Sequence, residues 1–193
     1  MSQLPTPNQN QEAGAGSTLY QAGQGITITN INYESRLEVM LQLVKMYEQE
    51  KKNGTPQFTG ILRKLEKFTT KVDGDLRDLS QKLQAGGYQN DVEWALEMKE
   101  DYSKMLQENK FSLACQHIHA FLLAWIIVLY NQFVVDAIRD GKTKEEVKTI
   151  IIDKVISPVE KIVGGENNVL GIYSDDINAM IYYLTGNCHL KWD

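Results

Sequence analysis

Two pairs of sulfur- and imidazole-bearing side chains stand out in this chain, Cys115 with His119 and Cys188 with His189. Cys115 and His119 are four residues apart, so on a helix they share a face, while His117 points elsewhere. Together the four residues could supply a tetrahedral zinc site. The spacing argues against it, because zinc motifs offer at least one close pair at a workable interval and the adjacent Cys188 and His189 would chelate one ion awkwardly. Buried cysteine behaves as a small core residue, so no metal and no cofactor is expected. A Cys–His hydrolase needs its nucleophile beside a base and a third group to orient that base. No orienting group or oxyanion feature can be named, so no catalytic residue is assigned and the chain is not expected to be an enzyme.

Three further features read as structure. Asp175 and Asp176 follow Ser174 at the start of a helical pattern, where capping and the helix dipole account for paired acids. The stretch Gln21-Ala22-Gly23-Gln24-Gly25 lacks a following Lys-Ser/Thr and a following helix, so it is no phosphate loop. Trp94, Trp125 and Trp192 are packing residues, each with an indole N–H to satisfy.

The elements that must position these side chains are mostly helical. Residues 1–16, rich in Gln, Asn, Pro, Gly and Ser, read as a disordered leader. Residues 17–33 carry no charge, and Ile26 and Ile28 alternate with Thr27 and Thr29 at the period of a strand. With Ala22 to Gly25 as a turn, Thr18 to Gln21 can pair with them as a short β-hairpin. A lone hairpin is marginal in water. It needs either its own helical domain or a copy of itself, with Tyr20, Ile26 and Ile28 as contact residues.

From Glu34 onward the pattern is helical, with Leu37, Met40, Leu41, Val44 and Tyr47 on one stripe. Phe58, Leu65, Val72 and Leu79 form a seven-residue row, flanked by Leu62, Thr69, Leu76 and Leu83. That row predicts a seam packed on a neighbouring helix, within the chain or across a dimer, with Asp73-Gly74-Asp75 as a place for the helix to bend or break. A third helix capped by Asn90 or Asp91 turns Val92, Ala95, Leu96, Tyr102, Met105 and Leu106 inward. The fourth, about Phe111 to Arg139, is apolar on most faces, as the centre of a bundle should be. Thr143 with Glu146 forms a capping box for a fifth, and Ser157-Pro158 opens a short sixth. Ser174 caps the last, which Gly186 stops. The expected fold is therefore all-α, a multi-helix bundle over residues 34–193 around a central hydrophobic helix, preceded by the short β-hairpin segment.

Composition narrows the function classes. The chain has 193 residues, 42% hydrophobic and 23% charged, with a formal net charge of -5. Dispersed charge of that sign lacks the basic face that non-specific nucleic-acid binding requires. Two distant cysteines form no disulfide framework and suit a reducing cytoplasm. The apolar run Ala120 to Tyr130 falls short of the ~20 residues that span a bilayer. Insertion of residues 120–135 in a membrane is the alternative, and a core helix is the expectation.

The last third, SPVEKIVGG followed by NNVLGIYSDDINAMIYYLTGNCHLKWD, resembles the helical C-terminal domains of bacterial three-component conflict systems built around an ABC-type ATPase. The likeness rests on Asp175, Asp176, Ile177, Met180, Tyr183, Thr185 to His189, and Trp192. It implies a sensor or assembly module that couples an effector to its partners. No nuclease or protease domain is recognised in residues 1–33, so the expectation is a non-enzymatic adaptor of an antiviral system. It would form a homo-oligomer and bind an ABC-type ATPase or effector, with Trp192 plugging a groove of the bundle or a partner's pocket.

Overall fold

The computed structural model of the chain describes residues 33–54, 60–71, 77–164 and 168–193. Every regular element within them is helical and no strand occurs among the described residues, in agreement with the all-α expectation. The leader, the β segment with Tyr20, Ile26 and Ile28, and the seam residues Phe58 and Val72 lie outside the described residues. Tyr33 is the exception in that segment, since it opens the first helix.

In chain order the helices are α1 (Tyr33–Asn53), α2 (Arg63–Thr69), α3 (Leu79–Ala85), α4 (Val92–Glu108), α5 (Leu113–Leu129), α6 (Val135–Arg139), α7 (Lys144–Ile151), α8 (Ser157–Val163) and α9 (Ser174–Gly186). A π turn, Tyr130–Val134, fuses α5 and α6 into a rod of 27 residues. A second, Ile152–Ile156, fuses α7 and α8. Pro158 gives a physical reason for the second. It has no N–H to donate to the carbonyl four residues back, and its ring crowds that carbonyl, so the helix widens just ahead of it. The break predicted at Ser157-Pro158 is thus a continuous rod.

The α5 rod is the centre of the fold. Ala114, Ile118, Leu122, Leu123, Trp125, Ile126 and Leu129 are all buried on it, and α1, α2, α8 and α9 pack around it. Each Leu or Ile among them withdrawn from water contributes about 1.5–3 kcal/mol. By length and composition the 27-residue rod could cross a membrane, so the shortness predicted from Ala120 to Tyr130 does not hold. More than half of its most apolar window is nevertheless covered by the surrounding helices. Its N-terminus is closed from outside as well as by Ser112, whose hydroxyl accepts from the Cys115 N–H at 3.0 Å. Glu50, on α1, accepts from Ser112 Oγ at 2.6 Å and from the Ala114 N–H at 2.9 Å. A carboxylate there faces the positive end of the helix dipole.

The seven-residue row packs within the chain, but not along one helix. Thr70, directly after α2, has an extended backbone (φ -96°, ψ 137°), so no single helix carries the row. Leu65 packs with Phe68 against α5, while Leu79 and Leu83 sit on α3 against α4 and α9. Leu65 and Leu79 are buried in the chain's own core and present nothing to a second subunit. Asp78 starts α3 with a capping box to Gln81, which marks the boundary that the heptad row conceals. Two inward assignments also fail: Leu41 and Leu96 are exposed, and Leu43 takes the place of Leu41 beside Met40, Val44 and Tyr47.

Candidate functional site

The final helix and the tail after it bring together most of the residues that could do chemistry. At the start of α9, the Tyr173 N–H donates to Asp176 Oδ2 at 2.9 Å. Tyr173 is therefore the N-cap residue, and Ser174, expected there, is the first helical residue, its hydroxyl donating to Glu160 Oε1 at 2.8 Å. Asp175 and Asp176 both lie in the first turn, where their charge complements the dipole.

At the other end, the His189 N–H donates to the Leu184 carbonyl (2.9 Å) and the Cys188 N–H to the Thr185 carbonyl (3.1 Å). This is a Schellman closure, and the residue in the left-handed conformation is Cys188 (φ 67°) rather than a glycine. The same closure ends α3 at Gly87 (φ 81°) and α6 at Gly141 (φ 72°). Gly186, predicted as the stop, is the last helical residue, and its α-carbon faces the Lys99 side chain. A residue with a Cβ in the left-handed region costs about 1–2 kcal/mol. Cys188→Gly is therefore expected to be more stable than Cys188→Ala by about 1 kcal/mol. Urea denaturation of the two variants measures it; an alanine variant as stable as the glycine one would refute the strain.

Beyond Cys188 the chain folds back on the bundle. The Trp192 indole N–H donates to Thr185 Oγ1 at 2.9 Å, and that hydroxyl donates to the Ile181 carbonyl. The indole is stacked on Tyr182 (interplanar angle 11°) and meets the Tyr88 ring edge-on at 4.9 Å. Tyr130, at the first π turn, donates its hydroxyl to the Lys191 carbonyl at 2.9 Å. Asn187 Nδ2 donates to the Phe68 carbonyl, and Arg77 holds Asp193 through two bonds of 2.6 and 3.1 Å. Lys82 is buried beside Leu79 and Leu83, and its ammonium donates to the Thr185 carbonyl at 2.9 Å. The positive charge thus lies at the negative end of the α9 dipole.

The two Cys–His pairs are in separate places. Cys115 and His119 line a cavity of about 120 Å³ with Tyr47, Asn109 and Ile172. Cys188 and His189 line a different one of about 440 Å³ with Asn131 and Arg139. Among the described residues no three His, Cys, Asp or Glu side chains converge as a metal site would require. Burial pushes the Cys115 thiol up, with the Ser112 contact partly opposing it. A raised thiol is a poor nucleophile and a poor metal ligand at neutral pH. His119 Nδ1 lies 3.1 Å from the Tyr102 hydroxyl, and burial lowers its pKa to about 4, so it is neutral at pH 7. Burial, helped by Lys67, also lowers His189, against the opposing pull of the Thr70 and Phe68 carbonyls. Its ring packs edge-on to Phe68 at 5.6 Å.

Of the predicted contact residues, Leu65, Leu79 and Trp192 are therefore internal. Sequence reasoning missed Lys82, Thr185 and Tyr130 as tail-holding groups. A lysine three residues after Leu79, and so on the same helix face as it, was the available signal for the first. The partners of the other two are brought close only by the fold.

Fold and site together define a small all-helical domain closed by its own C-terminal tail. Residues 78–192 match the family described as C-terminal domain 9 of the ABC-three component (ABC-3C) systems. That span is more than half of the chain, and the chain belongs to this family. The resemblance drawn from its last third is borne out and reaches back to Asp78. No curated protein and no solved structure matched the chain.

Proposed function

We propose that this chain is a non-enzymatic, cytoplasmic adaptor of a bacterial antiviral system, one that associates with itself and holds an ABC-type ATPase or an effector. Family membership carries the reading, because a domain defined by its place in a three-component system has other components to meet. The geometry is in keeping with it. The Cys–His ending serves as a helix closure and a docked tail, and the exposed large apolar side chains include Trp94, Leu96, Phe111 and Ile152. Such side chains are what protein contacts bury first. A membrane-active role would require α5 to leave a core in which Leu122, Leu123 and Ile126 have no exposure.

The test is co-purification. The tagged chain, co-expressed with the other components of its three-component system, is expected to retain at least one of them through gel filtration. Recovery of the chain without either component would refute the adaptor reading.

A further inference from the structure

An apolar groove runs between α4, the π turn at 152–156 and α9. The buried Ile151, Ile156, Tyr182 and Trp192 form its floor, and Trp94 and Ile152, 44% and 53% exposed, stand at its rim. Its volume of about 170 Å³ is close to that of cavities that admit a benzene-sized group, so one leucine or phenylalanine side chain fits. Exposed aromatic and aliphatic side chains gathered over such a floor mark a docking surface.

The charge beside the groove selects its occupant. Asp175 lies three residues before Asn178 and seven before Tyr182, both of which line the groove, so it stands on the same face of α9. Glu97 follows Trp94 by three residues on α4 and shares its face. Both acids are exposed, and neither has an ion-pair partner among the described residues. Lys148, which also lines the groove, is already engaged: its ammonium is 2.7 Å from Asp91 and 5.9 Å over the Tyr88 ring. The helix α9 carries Asp175 and Asp176 and neither lysine nor arginine. The apolar slot is thus flanked by unneutralised negative charge on both helices.

We propose that this groove receives a lysine- or arginine-bearing segment of another component of the three-component system, anchored by one leucine- or phenylalanine-sized side chain. The anchor covers Trp94 and Ile152 over the apolar floor, and the cations beside it meet Glu97 and Asp175. Desolvated aromatic and aliphatic contacts supply the affinity, while charge pairs at the rim speed encounter and fix the register. A second copy of the chain is a poor match in charge, because each brings a formal net charge of -5 to the contact. The proposal rests on the adaptor reading and gives it a contact surface and a partner chemistry.

The test uses the full chain and the system component that the wild type retains, with affinity read by titration calorimetry and subunit number by light scattering. Ile152→Glu and, separately, Trp94→Ala should each weaken the complex about 30-fold. Glu97→Gln with Asp175→Asn should weaken it about 10-fold at low salt and remove most of its salt dependence. All four positions are exposed, and the charge pair keeps the test independent of the two apolar changes. A complex indifferent to Ile152→Glu and Trp94→Ala would overturn the groove and leave the adaptor reading standing. A complex weakened by those changes but insensitive to salt and to the charge pair would overturn the basic occupant. A wild-type dimer that Ile152→Glu turns into a monomer, with component binding unchanged, would put a second copy in the groove and overturn the proposal. A wild type that retains no component removes the adaptor reading and the proposal together.

Discussion

Gly86→Ala is expected to unseat the C-terminal tail and cost about 2–3 kcal/mol of stability. The backbone at Gly86 is ordinary (φ -75°, ψ -3°), so alanine meets no conformational penalty there and would by itself favour the helical end. The cost comes from contact. A Cβ built on Gly86 overlaps the Trp192 carbonyl oxygen and comes within 3.1 Å of its carbon. Those are backbone atoms of a segment pinned on both sides, by Tyr130 at the Lys191 carbonyl and by Thr185 at the Trp192 indole. They cannot swing aside as the Lys144 side chain near Gly87 can. Losing the indole's packing altogether costs about 3–5 kcal/mol in comparable large-to-small changes. Urea denaturation of Gly86→Ala, Trp192→Ala and the double variant tests the account. If both changes act by expelling the tail, the double variant should lose little more than Trp192→Ala alone. A Gly86→Ala protein as stable as wild type would refute the close packing of the tail.

The second large effect is a loss of stability in mild acid that originates at His119. Its folded pKa is about 4 because burial disfavours the imidazolium, whereas the unfolded chain takes up the proton near 6.5. The contribution is therefore complete above pH ~6.5 and declines as pH falls towards 4. Over that window the shift corresponds to about 3 kcal/mol, at roughly 1.4 kcal/mol per pH unit. The groups near the ring offer no compensation: the Tyr102 hydroxyl at Nδ1, whose own ionisation burial pushes well up, and the Cys115 thiol in the same cavity. His189, also lowered mainly by burial, adds in the same direction. Urea midpoints between pH 7.5 and 4.5 should fall more steeply for wild type than for His119→Gln. Equal slopes would show that His119 is not held neutral.

Much of the helical layout was legible from local signals, for reasons that act within a few residues. Thr143 with Glu146 caps α7 as read, because a side chain closing the first turn needs only a neighbour three residues away. Gly87 and Gly141 stop α3 and α6, since only a glycine turns left-handed without strain. The all-round apolar character of α5 marked it as central. A regular spacing did not mean one helix, and the break comes earlier than the Asp73-Gly74-Asp75 stretch where it was expected. Phe58, Leu65, Val72 and Leu79 repeat at seven, but an extended Thr70 and the Asp78 cap put Leu65 and Leu79 on separate helices. Ser174 failed in another way. Its hydroxyl was expected to accept a backbone N–H of the first turn, but Ser174 is the first helical residue and its hydroxyl donates to Glu160, fourteen residues away in sequence, which the fold brings close.

The sequence by itself determined the helical class, the central rod and the family, because periodicity, caps and the Thr185 to Trp192 ending are local patterns. Only the tertiary structure decided what that ending does. Cys188, His189 and Trp192 could be ligands, a catalytic pair or a plug for a partner so long as their neighbours were unknown. Folding brings Lys82, Tyr130, Tyr182 and the bare α-carbon of Gly86 to them from distant stretches of chain. The tail then lies in its own domain, and Cys188 takes the turn that glycine takes in α3 and α6. The separation of the two Cys–His pairs has the same origin. One pair is set by the face of α5 and the other by the direction in which the chain leaves α9, and no sequence interval encodes the distance between two such surfaces.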